Sequence, residues 1–415
     1  MGSLLNEVRI ARQPIYDRNL DVCGYELLYR QGDADRAVFT DGDAATASVM
    51  EHALFSFNLP ELTGNHPAYI NLTRSYVVEE RIPFSPEQVV LELLEHIEPD
   101  KELLLALKRL TKKGYRLALD DYILQEDERH WLIPYMSMIK VDVLNMTFQE
   151  VVRHAKWLKR HSGPELLAEK VETRHMLELC QKAGFTYFQG FFLSRPATLK
   201  GQSLNSDQRR ILELLPELYR PELDVGRVER LISHDLSLSY KLLRYLRSPV
   251  FAIRDIDSIR AAVLYLGQRQ LAHWALLLAL ASAERQPAEQ IRLLLVRAYV
   301  CEQLTRYHDG GSDPGAAFTI GLFSGLDAVL DLPIEEVCSH LPLTEEPRQA
   351  LIHRSGPYGQ VLRAAISQEQ ADWSTLSEIP IPARQLNHFY LEAVREADQH
   401  HAYLVESAGR RRASP

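Results

Sequence analysis

A series of polar side chains in the first half of the chain falls at the ends of short apolar runs, and their types suit metal-assisted chemistry. They are Glu26, Asn71, Glu92, Asp120 with its neighbour Asp121, Lys140 followed by Asp142, Glu169 and Gln189. Carboxylates and carboxamides are hard oxygen ligands. Facing one another they would repel unless divalent cations lay between them, and Mg²⁺ or Mn²⁺ suits such a set better than zinc. A pair of cations near Asp120 and Asp121 can activate water and stabilise in-line displacement at phosphorus, with Lys140 positioning that water or neutralising charge. Chemistry of this kind hydrolyses a phosphodiester. Taken singly, each residue reads as well as a strand-end cap or a solvated group; the recurrence at successive strand ends favours a shared site.

Those residues need a scaffold that brings strand ends together. From Val8 to Leu193, short β-branched or apolar runs alternate with longer amphipathic segments, a β/α pattern. The runs are Val22–Tyr29, Ala68–Leu72, Gln88–Leu94, Tyr115–Asp121, Met136–Asp142, Glu165–Lys170 and Thr186–Phe191. The helical segments expected between them include Ala44–Phe57, Lys101–Lys113, Thr147–Arg160 and Thr173–Ala183. In a β/α barrel the carboxyl ends of the strands converge on one rim. After Pro196 the polar stretch 197–207 reads as a linker, and beyond it apolar residues recur at helical spacing, as in Leu242, Leu243 and Leu246. The expected fold is therefore α/β plus all-α, a TIM-like (β/α)8 barrel over 1–197 and a helical domain over 207–403, with a disordered tail over 404–415.

The motifs in the first half resemble those of EAL-domain cyclic di-GMP phosphodiesterases. Gln13-Pro14-Ile15 and Gly24-Tyr25-Glu26-Leu27-Leu28-Tyr29-Arg30 match the family's opening, with Glu26 at the signature glutamate. Ile70-Asn71-Leu72, Leu91-Glu92-Leu93-Leu94-Glu95, Leu119-Asp120-Asp121, Ile139-Lys140-Val141-Asp142, Ala168-Glu169-Lys170-Val171-Glu172-Thr173 and Phe188-Gln189-Gly190, ahead of Ser194-Arg195-Pro196, follow in order. The resemblance covers about residues 8–197. It implies that Glu26, Asn71, Glu92 and Asp120 hold one Mg²⁺ or Mn²⁺, that Asp121 and Glu169 help hold a second, and that Lys140 assists the attacking water. Lys140 and Glu169 are thus the implied catalytic pair. Glu172 would brace the rim, and Gln13, Arg30, Gln189 and Arg195 would lie near the dinucleotide. A guanidinium is well matched to phosphate oxygens.

One departure stands out. Active members follow the paired aspartates with a Phe-Gly-Thr-Gly-like loop, whereas Asp121 here precedes Tyr122-Ile123-Leu124-Gln125-Glu126-Asp127. Losing the glycines removes the backbone conformations that they permit. Displaced reacting groups can cost about a hundredfold in rate, so the position of Asp121 decides catalytic competence. The resemblance also implies a homodimer formed near this loop.

The second half resembles the HDOD domain, a helical relative of HD phosphohydrolases that lacks their metal site. The matching stretches are Leu231-Ile232-Ser233-His234-Asp235, Lys241–Leu246, Ile259–Gly267 and Phe318–Asp327. His234-Asp235 reads as a capping pair, and the dyad of true HD enzymes aligns with Ser324-Gly325, which cannot ligate a metal. This half is expected to engage an unidentified protein partner.

Composition narrows the function further. A net charge of −9 over 415 residues excludes non-specific nucleic-acid binding, which rests on Lys and Arg neutralising phosphates. Cys23, Cys180, Cys301 and Cys338 form no CxxC pair, and no apolar run is long enough to span a bilayer, so a cytoplasmic protein without membrane insertion is expected. The altered loop favours a barrel that senses cyclic di-GMP with little or no catalysis. The retained ligands favour an active phosphodiesterase, and a nucleotide-independent adaptor is the third alternative.

Overall fold

The computed structural model describes residues 8–31, 59–124, 128–160, 163–190, 222–246, 258–281, 288–308, 312–327, 333–339, 343–377 and 381–412, with isolated positions at 214–220, 251 and 379. The chain divides into two compact units, Met1–Ser194 with Ser367–Asn387, and Arg195–Ile366 with His388–Pro415. The first contains a closed eight-stranded barrel.

Its strands are β1 (Val8–Tyr16), β2 (Val22–Gln31), β3 (Ala68–Leu72), β4 (Val89–Leu93), β5 (Arg116–Leu119), β6 (Met138–Asp142), β7 (Glu165–Glu169) and β8 (Tyr187–Phe188). β1 runs antiparallel to β2 and β8; every other neighbouring pair is parallel. Between them pack α1 (Lys101–Lys112), α2 (Phe148–Lys159) and α3 (Arg174–Ala183). Each starts at a side-chain cap: Asp100 accepts the Leu103 N–H, Thr147 forms a capping box with Glu150, and Thr173 accepts the Met176 N–H. The sequence expectation agrees with these helices to within a residue or two, and Ala44–Phe57 lies outside the described residues.

Strand periodicity places the site. A plug inside the barrel consists of Ile15, Tyr69, Val90, Ala118, Met138 and Leu167, with Cys23 and Tyr187 packed against it, so every strand contributes. Side chains two residues apart share a face. Two residues beyond Tyr69, Val90, Ala118, Met138, Leu167 and Tyr187 stand Asn71, Glu92, Asp120, Lys140, Glu169 and Gln189. On the reversed β1, Gln13 precedes Ile15 by the same step and pairs with Glu26 of β2. β2 can approach β3 this closely because Gly24 has no side chain; a Cβ there would lie 2.5 Å from the Tyr69 ring.

In the second unit, α4 (Val225–Ser233), α5 (Leu236–Leu246), α6 (Ile259–Ala281), α7 (Ala288–Tyr307) and α8 (Pro314–Phe323) lead a helical assembly. α6 breaks its regular path at Gly267, where φ is 68°. α8 is buried from Ala317 to Phe323, and a Cβ on Gly321 would lie 2.6 Å from the Cα of Ala298, so glycine permits α7 and α8 to touch backbone to backbone. The last helix runs Ala383–Arg412, so the tail expected over 404–415 is helical as far as Arg412, where Leu404, Glu406 and Ala408 are good helix formers. Linker residues 197–207 lie outside the described residues.

Candidate functional site

The centre of the rim is the Lys140 ammonium, which is fully buried. Its Nζ lies 2.7 Å from Asp120 Oδ1, 2.9 Å from both Glu92 Oε1 and Glu169 Oε1, and 3.4 Å from Glu26 Oε1. Five side chains, from β2, β4, β6, β7 and the residue after β5, therefore meet at one point. Four carboxylates against one ammonium leave an excess of three negative charges if all are ionised, in a place with almost no solvent.

Burial sets the titration of this group. It pushes the Glu92 carboxyl well above the ordinary carboxylate range, with Lys140 opposing and Glu26 and Asp120 reinforcing. Glu169 is pushed up to about 8, first by burial, with Lys140 opposing and Asp120 and Glu26 adding. Asp121 is raised by burial and by Asp120. Burial works to lower the Lys140 pKa, but Glu169, Glu26, Glu92 and Asp120 together hold it well above the ordinary lysine value. The lysine therefore stays charged, while Glu92 and Glu169 keep their protons near neutral pH unless a further cation displaces them.

The remaining polar groups extend the rim. Gln189 Nε2 donates to Glu26 Oε2 at 2.7 Å and to Gln13 Oε1 at 3.1 Å, which locks the two glutamines onto the signature glutamate. Asn71 Oδ1 and Asp121 Oδ1 are buried acceptors without a hydrogen-bond donor. Asp142 faces elsewhere, pairing with Lys170 at 2.5 Å and accepting the Leu144 N–H. Glu172 is exposed. The Arg30 side chain and all of Arg195 lie outside the described residues.

The segment after the paired aspartates is firmly built where it is described, at Tyr122, Ile123 and Leu124; residues 125–127 lie outside the described residues. Tyr122 is buried, stacks on Trp157 of α2 and donates its N–H to the Lys140 carbonyl at 3.0 Å. Leu124 donates its N–H to His154 Nε2 at 3.1 Å, which leaves the ring proton on Nδ1, 2.9 Å from the Glu150 carbonyl. Buried Arg129, in the 3₁₀ segment Glu128–Tyr135, donates to the carbonyls of Asp120 (2.9 Å) and Asp121 (3.2 Å). Sequence reasoning singled out neither His154 nor Arg129. The one available signal was an arginine within an otherwise acidic replacement for a glycine loop.

Among the described residues, no three His, Cys, Asp or Glu side chains are placed to hold a metal ion as they stand, since the rim carboxylates surround the Lys140 ammonium instead. The donor chemistry nevertheless fits a hard divalent cation. Every ligand atom on offer is oxygen, and Asn71 Oδ1, Asp121 Oδ1, Glu92 Oε2 and Gln189 Oε1 are buried without a hydrogen-bond donor. Glu26, Asn71, Glu92 and Asp120 can hold one such ion, and Asp121 with Glu169 can share a second.

Residues 32–196 match the EAL domain and residues 204–330 the HDOD domain. The cyclic di-GMP phosphodiesterase CdgJ of Vibrio cholerae is 34% identical over 376 residues, spanning 89% of this chain and 86% of its own. The chain belongs to the EAL–HDOD family. A second EAL–HDOD relative, the uncharacterized protein YuxH of Bacillus subtilis, is also 34% identical, over 93% of this chain and 97% of its own. Klebsiella pneumoniae BlrP1, solved as a manganese and cyclic di-GMP complex, aligns at 22% identity and a TM-score of 0.37, over 46% of this chain and 56% of that one.

The helical half carries no comparable site at its tempting motifs. His234 caps α4, and Asp235 accepts the Leu238 N–H at the start of α5. Ser324 Oγ accepts from Arg297 and donates to the Gly321 carbonyl. All four cysteines are free thiols, and among the described residues no helix is long and apolar enough to cross a membrane.

Proposed function

We propose that the barrel opens cyclic di-GMP to the linear dinucleotide with Mg²⁺ or Mn²⁺, and that the helical half couples this activity to a protein partner. The observation that carries the reading is the convergence of Glu26, Glu92, Asp120 and Glu169 on buried Lys140, with the Asn71 and Asp121 oxygens left for a cation. The name of the 34% identical Vibrio relative supports the same activity. The sequence-based preference for a catalytically silent barrel rested on the pairing of an EAL-type with an HDOD-type domain and on an ill-placed Asp121. The bonds from Arg129 and Tyr122 now argue for a fixed one.

In this reading Glu26, Asn71, Glu92 and Asp120 hold one cation, and Asp121 and Glu169 the other. When bound, such cations lower the pKa of water and neutralise charge at phosphorus. With carboxylates drawn to the cations, the Lys140 ammonium would have an N–H free to orient the attacking water and to balance charge on the phosphoryl oxygens. Gln13 and Gln189 hold Glu26 in place and face the dinucleotide, with Arg30 and Arg195 on its phosphates.

The test is incubation of the full-length protein with cyclic di-GMP and Mn²⁺, with separation of linear product. Turnover is expected, and Glu26→Ala is expected to lower it by at least about a hundredfold. Calorimetric binding without turnover would establish a sensor instead, and absence of both would leave an adaptor.

A further inference from the structure

The replacement of the glycine loop has a structural counterpart in Arg129. Asp121 sits in the left-handed region, with φ of 43°, a conformation that L-residues other than glycine seldom adopt and that aspartate tolerates better than most. A glycine-rich turn reaches unusual backbone shapes through its own freedom. Here the shape is imposed from outside. The buried Arg129 guanidinium spans two consecutive carbonyls, those of Asp120 and Asp121, and its planar fork fixes their relative direction. Tyr122, the next residue, is pinned to the Lys140 carbonyl and to the Trp157 ring, and Leu124 to His154. The outcome is a side chain whose Oδ1 stays buried and without a hydrogen-bond donor, near enough to Asp120 for the two carboxylates to repel.

We propose that Arg129 is the positioning residue for the second cation site, holding the Asp120–Asp121 backbone in the strained geometry that aims the Asp121 carboxylate. The inference rests on the proposed divalent-cation site but not on hydrolysis. Arg129 bonds the backbone carbonyls of Asp120 and Asp121, so it acts on the site through Asp121. It also gives the site a different character from a glycine loop, since a frame fixed by buried hydrogen bonds is already formed before any ligand arrives.

The experiment uses the full chain and Mn²⁺ alone, titrated by electron paramagnetic resonance and calorimetry without nucleotide. The proteins compared are wild type, Arg129→Met, Arg129→Lys, Asp121→Asn and the Arg129→Met/Asp121→Asn double variant. Methionine preserves bulk and removes every donor, whereas lysine keeps the charge and can serve one carbonyl. Two Mn²⁺ classes are expected in the wild type. Arg129→Met is expected to weaken the looser class about tenfold or more, Arg129→Lys to recover part of that loss, and Arg129→Met to add nothing once Asp121 is Asn.

Mn²⁺ binding by Arg129→Met within about twofold of wild type would overturn the inference, as would an equal loss in the Asp121→Asn background, which marks general loosening. If Arg129→Met fails to fold, the lysine variant carries the same comparison, and unchanged affinity there overturns the inference too. A wild type that binds two Mn²⁺ but yields no linear product defeats the hydrolysis reading and leaves this one standing. A wild type that binds no Mn²⁺ defeats both.

Discussion

At the scale of single residues, the rim trades stability for cation affinity. Glu169 titrates near 4.5 in the unfolded chain and at about 8 in the fold. Because the folded value is raised, its stabilising contribution is fully present below the unfolded value and is lost as the pH rises through the folded one. The thermal midpoint of the metal-free protein should therefore fall between about pH 5 and pH 8.5, a trend that scanning calorimetry at several pH values would reveal. Glu169→Gln should flatten that fall and raise the midpoint near pH 8.5 while removing turnover, since a neutral amide keeps the shape and sheds the buried charge. A midpoint lower than wild type at that pH would contradict the burial argument. The ligand types themselves were legible in the sequence because hard oxygens at strand ends have few other uses in combination. Arg129 was not, because its partners are backbone carbonyls, which no side-chain pattern announces.

At the scale of elements, period two explains both what the sequence disclosed and what it hid. Ala68–Leu72 was read to the residue, and the other recognised strands to within about two residues, because their apolar face is continuous with the plug. β1 went unlisted among the strand-like runs: Arg9, Arg12, Gln13 and Pro14 interrupt its apolar pattern, although Arg9 and Arg12 are buried. Arg12 lies 4.7 Å from the Tyr25 ring and donates to the Leu62 carbonyl, so aromatic and carbonyl partners replace the expected apolar contacts. The close approach of β2 to β3 gives a direct test. Gly24→Ala should cost about 1–3 kcal/mol in urea denaturation, because its Cβ would meet buried Tyr69 at 2.5 Å and the Pro67 carbonyl at 3.2 Å. An unchanged midpoint would mean that the Tyr69 ring can yield.

At the scale of the whole molecule, chain order and spatial order disagree. Ser367–Asn387 groups with the barrel strands, not with the helices that precede it in sequence. Among the described residues β1 pairs with β8 through Tyr16 and Phe188, and farther along that edge Asn387 Oδ1 accepts the Ile10 N–H at 3.2 Å while Gln368 donates to the Ile10 carbonyl. Two carboxamides thus satisfy one strand residue as a neighbouring strand would. Local pattern could not show this, since the partners are separated by 358 and 377 positions. Replacing both amides with Ala should cost about 2–4 kcal/mol, at roughly 1–2 kcal/mol per buried hydrogen bond, measurable as a lower thermal midpoint. A loss confined to a few tenths of that would remove these bonds from any structural role.

This arrangement also governs the order in which the protein can be made. Chains emerge from the ribosome N-terminus first, and domains generally fold as they appear. β1 is synthesised before the helical half, yet its Ile10 edge receives the bonds from Gln368 and Asn387 only after residue 387 has been added. The nascent barrel must therefore wait through the synthesis of most of the helical half with that edge unfinished. Until Gln368 and Asn387 have both left the ribosome, that edge lacks its two carboxamide bonds.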